Sequence, residues 1–346
     1  MTRSNEPRDE ALARCGLHDA RLDLAAQRLA ERHRAGERDL SRTSEILRSL
    51  GEPHVWPRTL VASGRALTKD SLAPDVERWR REMPTMGKRR CGAAIVPSDD
   101  GGEDVAAFVS VDPLADLAPL PTRTHVGSWL KIDATLLVPA ASARVVVLGA
   151  GGKPRSVPAT FEGHHVRATF APDRQGRFKV QVLADVGLGP QPVLEAVVFA
   201  DVEPFEDEGT APGESAAEGG DGPEALARMV LALRREAGLR LLTRDRTLDR
   251  LALEHARAMK TTGRVGHDVG DGDPKARADA ANVIAMRIGE NVAHARDVVS
   301  AHRALYASPG HRENLLRAEF DRFGVAVAEG DDGSVWVAEL FTQSAR

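Results

Sequence analysis

Cysteine is scarce in this chain: Cys15 and Cys91 are the only two among 346 residues. Two thiols exclude a disulfide framework, and neither has metal-ligand neighbours at a recognisable spacing. Two interpretations stay open for them. In an oxidising compartment they form one bridge, and otherwise they are two small buried apolar side chains.

The sequence also lacks the features of membrane-spanning and nucleic-acid-binding proteins. No apolar run approaches the ~20 residues that cross a bilayer, so we expect no membrane span. The net charge is −4, which provides no basic field for nucleic acid. The opening residues, MTRSNEPRDEALARC, contain no hydrophobic stretch, so as they stand they predict no signal peptide.

Familiar catalytic signatures are missing as well. The sequence contains no HExxH motif and no recognisable Ser/His/Asp or Cys/His nucleophile pattern. The composition is that of an ordinary globular protein, with 42% hydrophobic and 28% charged residues. A length of 346 residues is enough for two or three domains. We therefore expect several separate hydrophobic cores.

The clearest domain boundary is an acidic stretch, DVEPFEDEGTAPGESAAEGGDGP, at 201–223. It contains eight acidic residues and no lysine or arginine. Repulsion between like charges, together with glycine, proline and serine, predicts an extended chain. We assign 204–222 as an acidic flexible linker.

The segment before this linker, 113–203, predicts strands only. The runs SWLKIDATLLV, ARVVVLGA, HHVRATFAP and GRFKVQVLAD are rich in β-branched and aromatic residues and are separated by Gly, Pro and Asp. Short strands at this spacing are typical of an all-β sandwich, and we predict an immunoglobulin-like one. The run 168–202 resembles the end of bacterial immunoglobulin-like modules.

The first segment, 1–112, predicts a mixed α+β domain. RLDLAAQRLAERHRAG places Leu22, Ala25, Ala26 and Leu29 at helical spacing. RRCGAAIVPSDDGGEDVAAFVSVD consists of two apolar runs joined by a polar turn, which predicts a hairpin. An alternative is that this segment and the following one form a single continuous α+β unit.

The last segment, 223–346, carries four motifs in order. A helix with one apolar face is followed by a Gly-His pair at 266–267, by IGEN (288–291), by SPGHREN (308–314) and by RFGVAVAEGDDGSVWVAELFTQ (322–343). The last motif predicts a hairpin with its turn at 330–333. The helical face consists of Leu248, Leu251, Ala252, His255, Ala256 and Met259.

In this order and with these gaps, the motifs resemble the short bacterial branch of the CAP superfamily (cysteine-rich secretory, antigen 5 and pathogenesis-related proteins). The resemblance covers 223–346. It implies an α-β-α sandwich with a cleft lined by His267, Glu290 and His311. Many eukaryotic members have a second cleft glutamate, which aligns near Ser308 here, so this chain has three of the four groups.

The first segment parallels the last one. LDLAAQRLAERHRAG corresponds to LDRLALEHARAMKTTG, ILRSLGEPHVWP stands where MRIGENVAHA does, and both segments end in a hairpin with an acidic glycine-rich turn. We interpret 1–112 as a degenerate CAP-like domain without assignable cleft residues. The alternative is an unrelated α+β domain, because such hairpins are common.

The three cleft residues suit two kinds of chemistry. His267, Glu290 and His311 are a donor set for Zn²⁺ or a similar divalent metal, with one coordination position left open. Without a metal, the same groups would bind a polar ligand by hydrogen bonds, or would only tie loops together. We interpret His255 as a core histidine, and His294 and His302 as surface residues.

Function follows from the resemblance and not from composition. It implies an extracellular or cell-envelope protein, and an apolar stretch encoded upstream of Met1 would reconcile this with the opening residues. Three hypotheses compete. The protein is a non-catalytic module that binds a lipid, glycan or peptide, a metal-dependent hydrolase, or a scaffold for envelope proteins. The first is preferred because the cleft set has no separate nucleophile.

Overall fold

A computed structural model describes residues 6–37, 43–82, 88–98, 101–187, 189–206 and 210–345. The chain divides into two compact units. Unit 1 consists of Met1–Pro139, Val157–Val182 and Pro192–Asp207. Unit 2 consists of Ala140–Ser156, Leu183–Gln191 and Glu208–Arg346. Each unit has its own buried apolar clusters.

Unit 1 begins with an α+β domain whose sheet has the order β1-β3-β4-β2. Its elements are α1 (Glu6–Cys15), β1 (Leu17–His18), α2 (Ala20–Arg34), α3 (Thr43–Ser49), β2 (Arg58–Gly64), α4 (Lys69–Arg81), β3 (Arg90–Val96) and β4 (Asp104–Val111). Helix α2 buries the predicted face, Leu22, Ala25, Ala26 and Leu29, against β3 and β4. The predicted hairpin is confirmed as β3 and β4.

The two cysteines form a disulfide bridge between the end of α1 and β3. Cys15 and Cys91 are both buried, and their Cα atoms are 5.9 Å apart. Of the two interpretations left open by the sequence, the structure has the bridge. It joins segments separated by 76 positions in the chain.

The region 113–203 contains only strands as regular elements among its described residues. They are β5 (Ala115–Leu117), β6 (Arg123–Thr124), β7 (Leu130–Leu136), β8 (Ala143–Leu148), β9 (Pro154–Val157), β10 (Ala159–Glu162), β11 (His165–Phe170), β12 (Gly176–Asp185) and β13 (Pro190–Ala200). In unit 1, β10, β11, β7 and β5 form an antiparallel sheet, and β13 lies between β6 and β12. In unit 2, β8 is the neighbour of β9. The predicted all-β content is confirmed.

The rest of unit 2 is a sheet of order β14-β16-β17-β15 with helices on both faces. Its elements are α5 (Pro223–Glu236), β14 (Thr243–Arg244), α6 (Arg246–Thr262), α7 (Pro274–Ala280), β15 (Ala285–Ala295), α8 (Val298–Ala307), α9 (Pro309–Leu315), β16 (Arg322–Glu329) and β17 (Val335–Ser344). Helix α6 buries the six predicted residues on one face of the sheet. Helices α5 and α8 pack on the other, so the predicted α-β-α sandwich is confirmed.

The two mixed sheets repeat one helix-on-sheet contact. A Cβ built on Gly92 would overlap the backbone of Leu22 in α2, and a Cβ built on Gly324 would overlap the backbone of Leu248 in α6. In both sheets the glycine therefore allows the helix to lie directly on the strand.

The polar contacts beside these glycines also correspond. Asp23 in α2 accepts a hydrogen bond of 2.8 Å from the amide of Ala93, and Asp249 in α6 accepts one of 2.9 Å from the amide of Val325. Both helices begin after an aspartate that caps the first turn. The parallel between the two sequence segments thus corresponds to a shared local structure.

The acidic stretch departs from the predicted linker at 210–222, because these residues pack against α5 and α8. Ala211 and Ala217 are buried, and a short 3₁₀ helix spans Glu214–Ala217. Arg303 in α8 donates two hydrogen bonds, of 2.8 and 2.7 Å, to Glu214. Specific partners thus replace the mutual repulsion that the composition predicted.

His302 lies beneath this segment, so its interpretation as a surface residue is wrong. Its ring is fully buried, and Nε2 donates a hydrogen bond of 2.9 Å to the carbonyl of Pro212. Nδ1 has no partner within the part of the chain that the structure describes. Burial lowers the pKa of His302, although the carbonyl of Pro212 and the charge of Glu214 oppose this. His294, by contrast, is exposed as expected and stacks on Trp336.

Replacing Gly324 by alanine should destabilise unit 2 strongly. The new methyl group has to push α6 away from β16, at a cost of ~3 kcal/mol. Gly263→Ala is the matched control, since its φ is +66° with open space around it, and it should cost only ~1 kcal/mol. Urea unfolding combined with hydrogen exchange of the β16 amides measures both. Equal effects of the two changes would contradict the close contact.

Acidification should loosen residues 210–222. The folded pKa of His302 is lowered, so its contribution to stability is lost as pH falls below the unfolded value of ~6.5. Burial raises the pKa of Glu214, but Arg303 and the amide of Ala211 outweigh this and lower it, so Glu214 stays charged at pH 5.

Cleavage by a glutamate-specific protease after Glu214 and Glu218 measures this, with each rate divided by that of a peptide of the same sequence. The ratio should rise between pH 7.5 and pH 5. In His302→Gln, an amide donates to Pro212 without titrating, so the ratio should stay flat. A ratio that rises equally in both proteins would exclude His302 as the titrating group.

Candidate functional site

His267 and Glu290, two of the three predicted cleft residues, are in direct contact. Helix α6 ends at Gly263, which has a left-handed backbone, and the following loop brings His267 to strand β15. His267 Nδ1 lies 2.9 Å from Oε1 of Glu290. The Glu290 side chain is 2% exposed and that of His267 is 15% exposed. The carboxylate is therefore buried behind a histidine that reaches the surface.

Arg277 in α7 is a third member of this cluster. Its guanidinium group donates to Oε2 of Glu290 and also donates a hydrogen bond of 2.9 Å to the carbonyl of His267. A buried carboxylate is stable only when it is paired, and Arg277 supplies the compensating charge. Sequence reasoning missed it, because α7 lies between two motifs and contains no recognisable pattern. The only available signal was the need of a buried Glu290 for a cation.

His255 stands behind the pair and is a core histidine, as predicted. It is fully buried, with Nδ1 2.7 Å from Asp271 and Nε2 2.9 Å from the carbonyl of Gly266. Its Nε2 is 3.7 Å from Oε1 of Glu290. His255 therefore fixes the loop that carries His267.

His311 lies in α9, on the other side of strand β15. Asn291 donates a hydrogen bond of 3.3 Å to the carbonyl of His311, and Asn314 donates one of 3.0 Å to the carbonyl of Glu290. The imidazole of His311 is half-buried. These contacts tie the backbone of α9 to β15, as in the interpretation that these residues hold loops together.

The arrangement does not fit a divalent metal. Within the part of the chain that the structure describes, no group of three His, Cys, Asp or Glu side chains is placed to hold an ion. Both carboxylate oxygens of Glu290 are already bound, by His267 and Arg277. The guanidinium group moreover places a positive charge where a metal ion would have to approach.

His267 can accept a hydrogen bond from a ligand. A carboxylate only accepts, so Nδ1 of His267 carries the hydrogen that is donated to Glu290, and Nε2 is left with a free lone pair. Among the described residues, Nε2 has no protein partner. The site thus presents an acceptor whose tautomer is fixed by Glu290.

A second buried carboxyl group, Glu339 in β17, lies beyond Asn291. Its Oε2 accepts a hydrogen bond of 2.9 Å from Asn291, and its Oε1 has no partner among the described residues. Burial raises the pKa of Glu339 to about 7, although Asn291 lowers it. Sequence reasoning missed this residue. The available signal was an acidic residue inside an otherwise apolar strand.

The first sheet has none of these groups at the corresponding positions. Strand pairing, aligned at Gly92 and Gly324, places Thr59, Leu60 and Phe108 where Glu290, Asn291 and Glu339 stand in the second sheet. The predicted correspondence of ILRSLGEPHVWP with MRIGENVAHA is therefore wrong in register. Glu52 lies before β2 and contacts His54 instead.

A surface depression of ≈ 330 Å³ lies at the start of β15, away from these residues. It is lined by Asp279, Asn282, Val283, Ile284 and Ala285. It contains one carboxylate and no histidine, so it offers less directed chemistry than the pair of His267 and Glu290.

Replacing Glu339 by glutamine should stabilise the protein at high pH only. The folded pKa of about 7 exceeds the unfolded value of 4.5, so wild-type stability falls as pH rises between these values. The loss amounts to about 3 kcal/mol, which the amide avoids while keeping the bond to Asn291. Urea unfolding at pH 4.5 and pH 8 measures this, with the exposed Glu329→Gln as control. Equal effects at both pH values would contradict a buried neutral carboxyl group.

Comparison with known proteins gives one family match. Residues 228–341 match the model of the cysteine-rich secretory protein family, CAP. A search of curated protein sequences finds no match. None of the described helices is long and apolar enough to cross a membrane.

Three solved bacterial structures show a distant likeness. An outer surface protein from Borrelia burgdorferi is 22% identical, covering 35% of this chain and 90% of its own, with a TM-score of 0.33. An extracellular protein containing a SCP domain from Bacillus anthracis is 17% identical, covering 72% and 88%, also with a TM-score of 0.33. A cysteine-rich secretory protein from Staphylococcus aureus is 13% identical, covering 67% and 89%, with a TM-score of 0.30.

At these TM-scores the structural likeness carries no argument, and the assignment rests on the sequence match. That match covers the helix α6, the loop of His267, the strand of Glu290 and the hairpin of β16 and β17. The C-terminal part of the chain belongs to the cysteine-rich secretory protein (CAP) family.

Proposed function

We propose that this protein is a secreted or envelope-facing CAP-domain protein whose cleft binds a polar ligand without converting it. The observation that carries the proposal is the unpaired Nε2 of His267, fixed from behind by Glu290. A preorganised acceptor of this kind suits a hydroxyl or amide group. Glycans, lipid head groups and peptides all offer such donors.

A catalytic role is less well supported by the site. The pair of His267 and Glu290 resembles a general base and its orienting acid, but no serine, threonine or cysteine contacts His267 among the hydrogen bonds of the described residues. The metal-dependent hydrolase would need His311 in the same cluster, and Arg277 competes for Glu290. Binding without turnover requires neither.

The first segment serves as a scaffold in this proposal. Residues 1–112 would be a degenerate CAP-like domain, since they share the glycine-mediated contact of α6 with β16 but have Thr59, Leu60 and Phe108 at the site positions. Residues 113–203 would be an immunoglobulin-like sandwich. This layout favours one ligand site per chain, with the remaining domains available for contacts with an envelope protein.

The disulfide bridge supports a location outside the cytoplasm. Bridges of this kind persist in oxidising compartments and are rare in the cytosol. The family to which the C-terminal part belongs is named for secretory proteins. Together these features favour an extracellular or cell-envelope location.

The binding proposal is tested by following the ring nitrogens of His267 by NMR. Three probes represent the ligand classes: a chito-oligosaccharide, a soluble phosphoglycerol head group and a short peptide. We expect one class to shift the Nε2 resonance saturably. His267→Ala should weaken that probe about tenfold, the value of one hydrogen bond. His164→Ala, at an exposed turn, should leave the affinity unchanged.

A Zn²⁺ titration of the same proteins separates the metal alternative. Wild type should show no stoichiometric binding at micromolar concentrations, whereas Arg277→Gln should bind more tightly because it frees Oε2 of Glu290. Tight one-to-one binding by wild type that is abolished by His267→Ala with His311→Ala would favour the metal site. Failure of all three probes to shift His267 would contradict the ligand proposal.

A further inference from the structure

The backbone of Gly189 lies directly against the ring of His267. Both residues belong to unit 2, although Gly189 precedes β13 and lies outside the family match. A Cβ built on Gly189 would be 2.7 Å from Cβ of His267 and 3.3 Å from its Cγ and Cδ2. The φ of Gly189 is +82°, a conformation that other residues rarely adopt. Glycine is therefore required here for two independent reasons.

A second glycine from outside the family match contacts helix α9. Arg312 donates a hydrogen bond of 3.3 Å to the carbonyl of Gly152, which lies between β8 and β9 and also belongs to unit 2. Beside it, Arg144 donates a hydrogen bond of 2.8 Å to Glu313. These contacts flank His311 on both sides in the sequence.

The two segments that carry these glycines are joined to each other. The amide of Ala141 donates to the carbonyl of Asp185 at 2.8 Å, and the amide of Asp185 donates to the carbonyl of Ser142 at 2.9 Å. Because all these residues belong to unit 2, the segments 140–156 and 183–191 form one body with the CAP domain.

We propose that Gly152 and Gly189 form a wall of the cleft, here called the glycine wall, and that it restricts which ligands reach His267. The inference rests on the proposed function and deepens it. At Gly189 the wall touches the ring at Cβ, Cγ and Cδ2 and adds no side chain, so Nε2 stays exposed at the edge. The ligand thus meets residues from outside the CAP domain, and those residues determine specificity.

The test compares two alanine substitutions in the full chain. Gly189→Ala introduces a methyl group against His267, whereas Gly187→Ala has the same kind of positive φ, +99°, with nothing within 4 Å. Glu290 holds the ring in place, so the wall should move and uncover Nε2. A left-handed backbone disfavours alanine roughly fivefold or more, so acylation of His267 by diethylpyrocarbonate should accelerate about fivefold in Gly189→Ala.

Gly187→Ala should leave that rate at the wild-type value, which shows that strain alone is not the cause. The exposed His164 is the internal reference in each protein. A direct measurement is the nuclear Overhauser effect between the α protons of Gly189 and the ring of His267 in wild type. Its absence, or equal acylation rates in the two variants, would overturn the glycine wall.

The three probes used for the ligand proposal keep the two ideas apart. If one of them binds wild type, its affinity should change in Gly189→Ala and stay the same in Gly187→Ala. An unchanged affinity in Gly189→Ala would overturn the role of the wall in specificity. If no probe binds wild type but the acylation rates differ as expected, the proposed function fails while the wall around His267 stands.

Discussion

Because a carboxylate that leaves water has to be paired, Glu290 determines the positions of the groups around it. One oxygen is bound by His267 and the other by Arg277, so a loop and a short helix are held to the same point of strand β15. His255 fixes the same loop from inside the domain. The exposed nitrogen of His267 is thus the outward end of a buried charge cluster, and this accounts for its fixed tautomer.

The sequence allowed the scaffold to be predicted better than the site. The apolar face of α6 and the hairpin of β16 and β17 follow from periodicity, because a buried surface requires a regular pattern. His267 and Glu290 were found through their motifs. Arg277, His302 and Glu339 were not, because each is buried through a partner distant in the chain: Glu290, Pro212 and Asn291. Such pairings arise only from tertiary structure.

The two mixed sheets show how one scaffold carries different interiors. The glycine under the helix and the aspartate beside it are present in both, because they define how the helix lies on the sheet. The positions that hold Asn291 and Glu339 in the second sheet hold Leu60 and Phe108 in the first. Replacement of the polar pair by an apolar one keeps the packing and removes the chemistry, so the scaffold and the site vary independently.

The position before the shared glycine also differs between the sheets, with Cys91 in the first and Phe323 in the second. Phe323 stabilises its domain through apolar packing alone. Cys91 adds a covalent closure of a long chain segment, which in the chain-entropy account stabilises by ~4–5 kcal/mol. A reducing environment would therefore weaken one end of the molecule and leave the other intact. The amino-terminal domain matures only where thiols are oxidised, whereas the ligand-binding end can assemble before or after export.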